Sequence, residues 1–164
     1  MKTRMLIEVN DAGDVLEIRK VPFLENHWAG KDGSIWVVIF GENGKLYRYH
    51  RQKTRPHYKN GRPQFDYTIN GRNLTPMVQK CVCYAWHGPR PERHPTEGRY
   101  EVSHLHDNDR SNNCAANLGW ETKAQNDRRR WDIAVANGTY VKLEDGTYRR
   151  TKLTPLRQGF KYKA

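Results

Sequence analysis

The sequence predicts an α+β fold, and three observations carry that expectation. The first fifty residues alternate short β-branched and aromatic runs with tight turns. An apolar helix with a capped start opens near Thr75. A second capped helix opens at Thr122, directly behind a short strand, a polar loop and another short strand. With 164 residues the chain suits one domain, or one compact domain with appendages.

The elements follow in chain order. "MLIEV" (5–9) and "VLEIRKV" (15–21) flank "NDAGD", where Gly13 can take the positive φ that a hairpin needs. "SIWVVIF" (34–40) and "KLYRYH" (45–50) flank "GENG" in the same way. Residues 51–64 are basic, with two prolines and an Asn-Gly, and read as a loop. "FDYTI" (65–69) is one more strand and "NGRN" its turn. Thr75 as N-cap and Pro76 at the first helical position start a helix. Its apolar stripe is Val78, Cys81, Val82 and Ala85, and Gly88-Pro89 ends it. A proline-rich loop (89–98) leads to the strand "RYEVSHL", which ends at His104. The polar loop "HDNDRSNNCAAN" (106–117) and the short strand "LGW" come next. Thr122 and Gln125 form a T-x-x-Q capping box, and Gly138 is a natural stop. On that helix Trp131, Ala134 and Val135 make an apolar stripe, while Asn126, Arg129 and Arg130 share another face. A last hairpin turns around Asp145-Gly146; beyond Asp145 no acidic residue remains, and six Lys/Arg interleave with Tyr148, Phe160 and Tyr162. Three regions are therefore expected: a β-rich region at 1–70, a central unit at 71–138, and a basic hairpin and tail at 139–164.

Charge narrows the partners. Twenty-nine Lys+Arg stand against 18 Asp+Glu, a net charge of +11 and a pI of about 9.7. Such an excess on so small a body points to a polyanion, because neutralised phosphates release condensed counterions. Hydrophobic residues make up 36% and mean hydropathy is −1.00, so the core must be small. No apolar run approaches the ~20 residues of a membrane span, and Glu8 interrupts the apolar N-terminal piece, so neither a membrane nor a signal peptide is expected. Three cysteines, an odd count, give no disulfide framework and fit an intracellular compartment, the cytoplasm or a eukaryotic nucleus.

The segment 102–126, "VSHLHDNDRSNNCAANLGWETKAQN", cannot fill a core. Strand, loop, strand and helix can instead bring residues 22 positions apart, His104 and Asn126, onto one concave site. The ordered set His104, Asn112-Asn113, Asn117-Leu118, Trp120 and Asn126 resembles the HNH, or ββα-metal, nuclease family. Upstream, "INGRNLTPMVQKCVCYAWHGPRPE" is similar to the helix and Gly-Pro loop before the nuclease hairpin of phage and intron homing endonucleases, and "SHL" (103–105) is similar to the His-Cys box enzymes. The resemblance covers about residues 60 to 138.

The resemblance implies a ββα-metal (HNH) nuclease core at 71–138, between a β-rich DNA-binding or scaffold region and a basic C-terminal tail. It implies metal-dependent hydrolysis of double-stranded DNA to 5′-phosphate and 3′-hydroxyl ends, in an enzyme of a phage or mobile intron. His104 would be the general base, since a neutral imidazole can take a water proton near neutral pH. Asn126 would be a metal ligand, Asn117 would tie the loop and orient the base, and Trp120 would pack beneath the hairpin. Arg72 falls where relatives place an arginine on the scissile phosphate. The cofactor would be Mg²⁺, or another divalent cation such as Mn²⁺. Arg128, Arg129, Arg130, Arg149, Arg150 and Lys152 would grip the DNA backbone. No small-molecule substrate is expected. A monomer would nick one strand, and a two-fold homodimer could cut both.

The chain departs from the family pattern twice. Many members place an aspartate just before the histidine as a second metal ligand, where this chain has Ser103. The segment from His104 to Asn113 is one residue longer than the common pattern, so His106 or Asp107 could reach the metal, with Asp107 the reserve ligand. Two other readings therefore stay open: a DNA-binding protein that has lost cleavage, and a non-specific DNA or RNA nuclease. A structural zinc is not expected, because Cys81 and Cys83 on a helix point about 200° apart.

Overall fold

The computed structural model describes residues 3–107 and 109–151. Five strands, β1 (Arg4–Glu8), β2 (Val15–Lys20), β3 (His27–Gly30), β4 (Ile35–Phe40) and β5 (Leu46–Arg51), form one antiparallel sheet in the order β1-β2-β3-β4-β5. β3 is the element the sequence reading lacks. It has four residues, all buried, and lies at the centre of the sheet. A strand buried on both faces has no polar alternation to reveal it. The sheet curls, and the Tyr49 hydroxyl on β5 donates to the Glu8 carbonyl on β1 at 2.9 Å. One face gathers Ile7, Ile18, Trp28, Trp36 and Val38. Residues from β3 and β4, with Val21 and Leu24, join a second cluster with Phe65, Val78, Cys81, Val82, Ala115 and Leu118. That core runs across the 70/71 boundary.

Two short hairpins follow. β6 (Arg55–Pro56) pairs with β7 (Pro63–Gln64) inside the segment expected to be only a loop. β8 (Tyr67–Ile69) pairs with β9 (Arg72–Leu74). The helix α1 (Val78–His87) begins later than its sequence signals suggest: Met77 occupies the N-cap, and no side chain caps it. Thr75 and Pro76 are not part of the helix start, because tertiary pairing takes that stretch. The Pro76 carbonyl accepts from Phe65 N at 3.2 Å, and Met77 bridges to Gln64. Val78, Cys81 and Val82 are buried as the stripe predicts, and Gln79 and Cys83 are buried beside them. Burial pushes both thiols, Cys81 and Cys83, up to about 12. They behave as small hydrophobes at neutral pH.

β10 (Tyr100–His104) pairs antiparallel with β11 (Leu118–Thr122), from Tyr100↔Thr122 to His104↔Leu118. α2 (Lys123–Ala136) leaves β11 through the expected capping box: Thr122 Oγ1 accepts from Gln125 N at 3.2 Å, and Thr122 N donates to Gln125 Oε1 at 3.0 Å. Such a cap contributes about 1 kcal/mol. The hairpin is held between α1 and α2. The C-terminal hairpin forms around Asp145-Gly146 from β12 (Tyr140–Lys142) and β13 (Tyr148–Arg150). It covers the stripe of α2, with Trp131 stacked on Tyr148 at 4.6 Å and edge-on to Tyr140 at 5.1 Å. Lys152, Phe160 and Tyr162 lie outside the described residues. No helix among the described residues is long and apolar enough to cross a membrane.

Candidate active site

Side chains alternate along β10. Tyr100, Val102 and His104 share the α1 side, and Glu101 and Ser103 share the α2 side. His104, half-buried at the strand end, donates from Nε2 to Asn113 Oδ1 at 3.2 Å in the tautomer that leaves a lone pair on Nδ1. Burial pushes the His104 pKa below its ordinary value, and the nearby Arg62 charge adds to this; the Asn113 hydrogen bond and the charges of Asp107 and Asp109 oppose it. The ring is therefore neutral at neutral pH.

The polar loop after β10 is closed by amides. Asn117, 2% exposed, accepts from His106 N at 2.9 Å and donates to Asp107 Oδ1 at 2.9 Å and to the Asn112 carbonyl at 3.0 Å. Asp107 also accepts from Asn112 Nδ2 at 2.6 Å and Asp109 N at 3.1 Å. Desolvation pushes the Asp107 carboxyl up, but these hydrogen bonds outweigh it and hold the group below the usual carboxylate value. Both Asp107 oxygens are thus engaged within the loop. His106 is exposed and joins this network only through its backbone.

The N-terminal sheet braces the loop from outside. Ala115 N donates to the Lys31 carbonyl at 2.8 Å. Gly33, at φ +87° in the β3–β4 turn, lies so close that a Cβ would stand 2.6 Å from the Asn113 carbonyl. Only glycine fits there. On the other side of the hairpin, Trp120 Nε1 donates to the Gly88 carbonyl at 3.2 Å, and the ring packs edge-on against Tyr84.

On the α2 side, Ser103 Oγ donates to Asn126 Oδ1 at 3.0 Å, and Asn126 Nδ2 donates to Glu101 Oε1 at 2.8 Å. Glu121, opposite Glu101 in register and 8% exposed, is paired with Arg129. Desolvation pushes the Glu121 carboxyl up, yet the Arg129 pairing, the Ser103 hydroxyl and the Arg128 charge together outweigh it and hold the group below the usual carboxylate value. Asn126 thus reaches the strand at the residue next to His104. Among the described residues no three His, Cys, Asp or Glu side chains converge as a metal cage. The amide turns its Nδ2, not its oxygen, toward Glu101, so a hard cation there would require the Asn126 amide to turn over; one carboxylate, an amide oxygen and water would then make a donor set that suits Mg²⁺.

The arginines divide. Arg128 pairs with Glu97 at 2.8 Å, Arg129 with Glu121, and Arg130 with Asp127 at 3.6 Å. Arg149 and Arg150 are exposed on β13. Arg72 is exposed on the β8–β9 hairpin, and no described hydrogen bond or ion pair links it to the His104 loop. Arg62, at the end of the β6–β7 hairpin, is the arginine whose charge acts on His104. Arg110 Nη1 donates to the Asn60 carbonyl at 3.2 Å, tying that hairpin to the loop. Arg62, Glu101 and Gly33 join the candidate site from outside the sequence motif. Arg62 had one signal, the basic run 51–64, but nothing in it distinguishes one cation from its neighbours.

No family model matches the chain, and no curated protein matches it. Among solved structures, one that reports DNA binding and cleavage by the HNH homing endonuclease I-HmuI is similar to this chain. The two are 16% identical, with a TM-score of 0.47, over 82% of this chain and 76% of that one.

Proposed function

We propose that this protein is a metal-dependent DNA endonuclease of the HNH homing type, with His104 as general base. The observation that carries the reading is a half-buried, neutral imidazole held by Asn113 beside a strand that Asn126 reaches from α2. The Nδ1 lone pair takes the proton of an attacking water. The water oxygen bonds to phosphorus as the bond to the 3′-oxygen breaks in line, and solvent protonates the leaving oxygen. Asn117 and Asp107 hold the loop that orients the base, so Asp107 acts in the loop rather than on the metal. Asn126 and Glu101 would hold Mg²⁺ or Mn²⁺, with the Ser103 hydroxyl positioning the amide. When bound, that ion stabilises charge on the phosphate and on the leaving oxygen. Arg62 takes the role on the scissile phosphate that the resemblance assigns to Arg72, because its charge is the one felt at His104. Double-stranded DNA is the substrate, with Arg128, Arg129, Arg130, Arg149, Arg150 and Lys152 as backbone contacts.

Plasmid cleavage tests the reading. Supercoiled DNA should be cut with Mg²⁺ or Mn²⁺, spared with EDTA, and spared by His104→Ala. Cleavage by His104→Ala at the wild-type rate would remove His104 as the base. Nicked against linear product, read with the mass in solution, distinguishes a monomer from a homodimer. Ser103 favours a second reading, a protein that binds DNA without cutting, since a hydroxyl supplies no charge to a cation. Duplex binding with no cleavage under either ion would establish it.

A further inference from the structure

The β6–β7 hairpin presents an exposed aromatic beside the candidate active site. Its turn closes at His57 and Arg62: His57 N donates to the Arg62 carbonyl at 2.9 Å, and Gly61 N to the His57 carbonyl at 2.8 Å. Within the turn, Lys59 N donates to His57 Nδ1 at 3.2 Å and Arg62 N to Asn60 Oδ1 at 3.0 Å. The root is held by Arg55, whose guanidinium donates to both Asp66 oxygens at 3.1 and 2.8 Å. The tip is held by Arg110 of the His104 loop, which donates to the Asn60 carbonyl. The turn is therefore braced against the loop that carries the candidate base. From it projects Tyr58, 74% exposed. Single exposed aromatics are ordinary on protein surfaces, but three features separate this one. Its ring stacks on His57, with centroids 4.8 Å apart and planes 29° from parallel, so its orientation is set. Lys59 Nζ lies 5.3 Å from the centre of the same ring, so the aromatic carries a cation with it. Arg62, whose charge acts on His104, closes the same turn. Tyr47 on β5 is as exposed, at 72%, but no ring stack or cation fixes it among the described residues.

We propose that Tyr58 is a wedge that enters bound DNA between two base pairs, next to the phosphate that Arg62 holds, and parts them. A ring already oriented on a braced turn loses little freedom on insertion. Its open surface stacks on the parted bases, and Lys59 meets the backbone phosphates beside them. Those contacts offset the loss of one base–base stack. Parting a step stretches the backbone and lowers the local twist, which bends the duplex at the site where the strand is to be cut. The inference deepens the DNA-binding reading above and needs no cleavage.

The test is the linking number of a closed circular plasmid, relaxed by a magnesium-independent topoisomerase in EDTA with the protein bound, so that this chain cuts nothing. Wild type should leave fewer links, in proportion to the protein bound. Tyr58→Phe keeps the ring and should keep the shift. Tyr58→Ala should abolish the shift and weaken duplex binding by about tenfold, the scale of one base–aromatic contact. Its melting temperature should match wild type, because the ring it removes is exposed. Tyr58→Lys adds a cation without a ring, so it should bind at least as tightly as Tyr58→Ala and still give no shift. Tyr47→Ala should behave like wild type. A shift that survives in Tyr58→Ala or Tyr58→Lys overturns the proposal, because the unwinding then comes from wrapping elsewhere on the surface. Loss of the shift in Tyr58→Phe or in Tyr47→Ala overturns it too, the first by assigning a hydroxyl contact and the second by moving the wedge to β5. Gel-shift binding by wild type with no change in linking number removes the wedge alone. No binding at all removes the DNA-binding reading and the wedge with it, so the two failures are distinguishable.

Discussion

His104 Nε2 and Asn113 Oδ1 lie 3.2 Å apart, and this hydrogen bond selects the tautomer that leaves the Nδ1 lone pair free. Burial lowers the His104 pKa, so the acid limb of kcat/KM should fall below the ordinary imidazole value of 6.5. Asn113→Ala frees the ring and should cut kcat about tenfold or more, with the fold retained. Stability has a matching sign. Because the folded state disfavours the proton, the contribution of His104 is whole above the unfolded pKa and is lost as pH falls through the lower folded value. Urea melts of wild type and His104→Gln from neutral to mildly acidic pH should show the wild type losing more.

Asp107 and Asn117 should behave as loop staples. Asn117→Ala strands the His106 N–H and the Asp107 carboxylate, so it should cost about 1–3 kcal/mol in denaturant unfolding. Asp107→Ala should loosen the same loop without changing the dependence of cleavage on Mg²⁺ concentration. A large rise in the Mg²⁺ needed by Asp107→Ala would return Asp107 to the metal.

Gly33 acts at a distance. Gly33→Ala places a methyl against the Asn113 backbone at a positive φ. It should destabilise the protein by about 1–2 kcal/mol and lower kcat, although position 33 touches no substrate. Amide exchange confined to the 106–117 loop would report the displacement.

Ser103→Asp is the informative gain-of-charge variant. It puts a carboxylate beside Asn126, where many HNH nucleases carry one. Ser103 is 1% exposed and shares its face with Glu121, so the apo protein should lose melting temperature through like-charge repulsion. Added Mn²⁺ should restore it, and cleavage should saturate at lower metal concentration than in wild type. A melting temperature indifferent to Mn²⁺ would move the cation away from position 103.

Much of the site was legible because its signals are local. The T-x-x-Q capping box set the start of α2, and the strand–loop–strand spacing placed His104, Asn113 and Asn117 around one loop. Thr75 and Pro76 misled for the opposite reason. Their cap chemistry was sound, but pairing with Gln64 and Phe65 took the backbone that a cap would have used.

By itself the sequence determined the α+β class, the hairpin followed by a capped helix, the C-terminal turn at Asp145-Gly146 and the basic charge. Each depends on residues within a few positions of one another, or on composition alone. Only the tertiary structure decided that β3 is the buried centre of the sheet and that Gly33 braces Asn113. It also decided that the charge of Arg62 acts on His104, and that Glu101 lies against Asn126. Those relationships join segments far apart in the chain, and close packing rather than local propensity selects which of several similar side chains arrives.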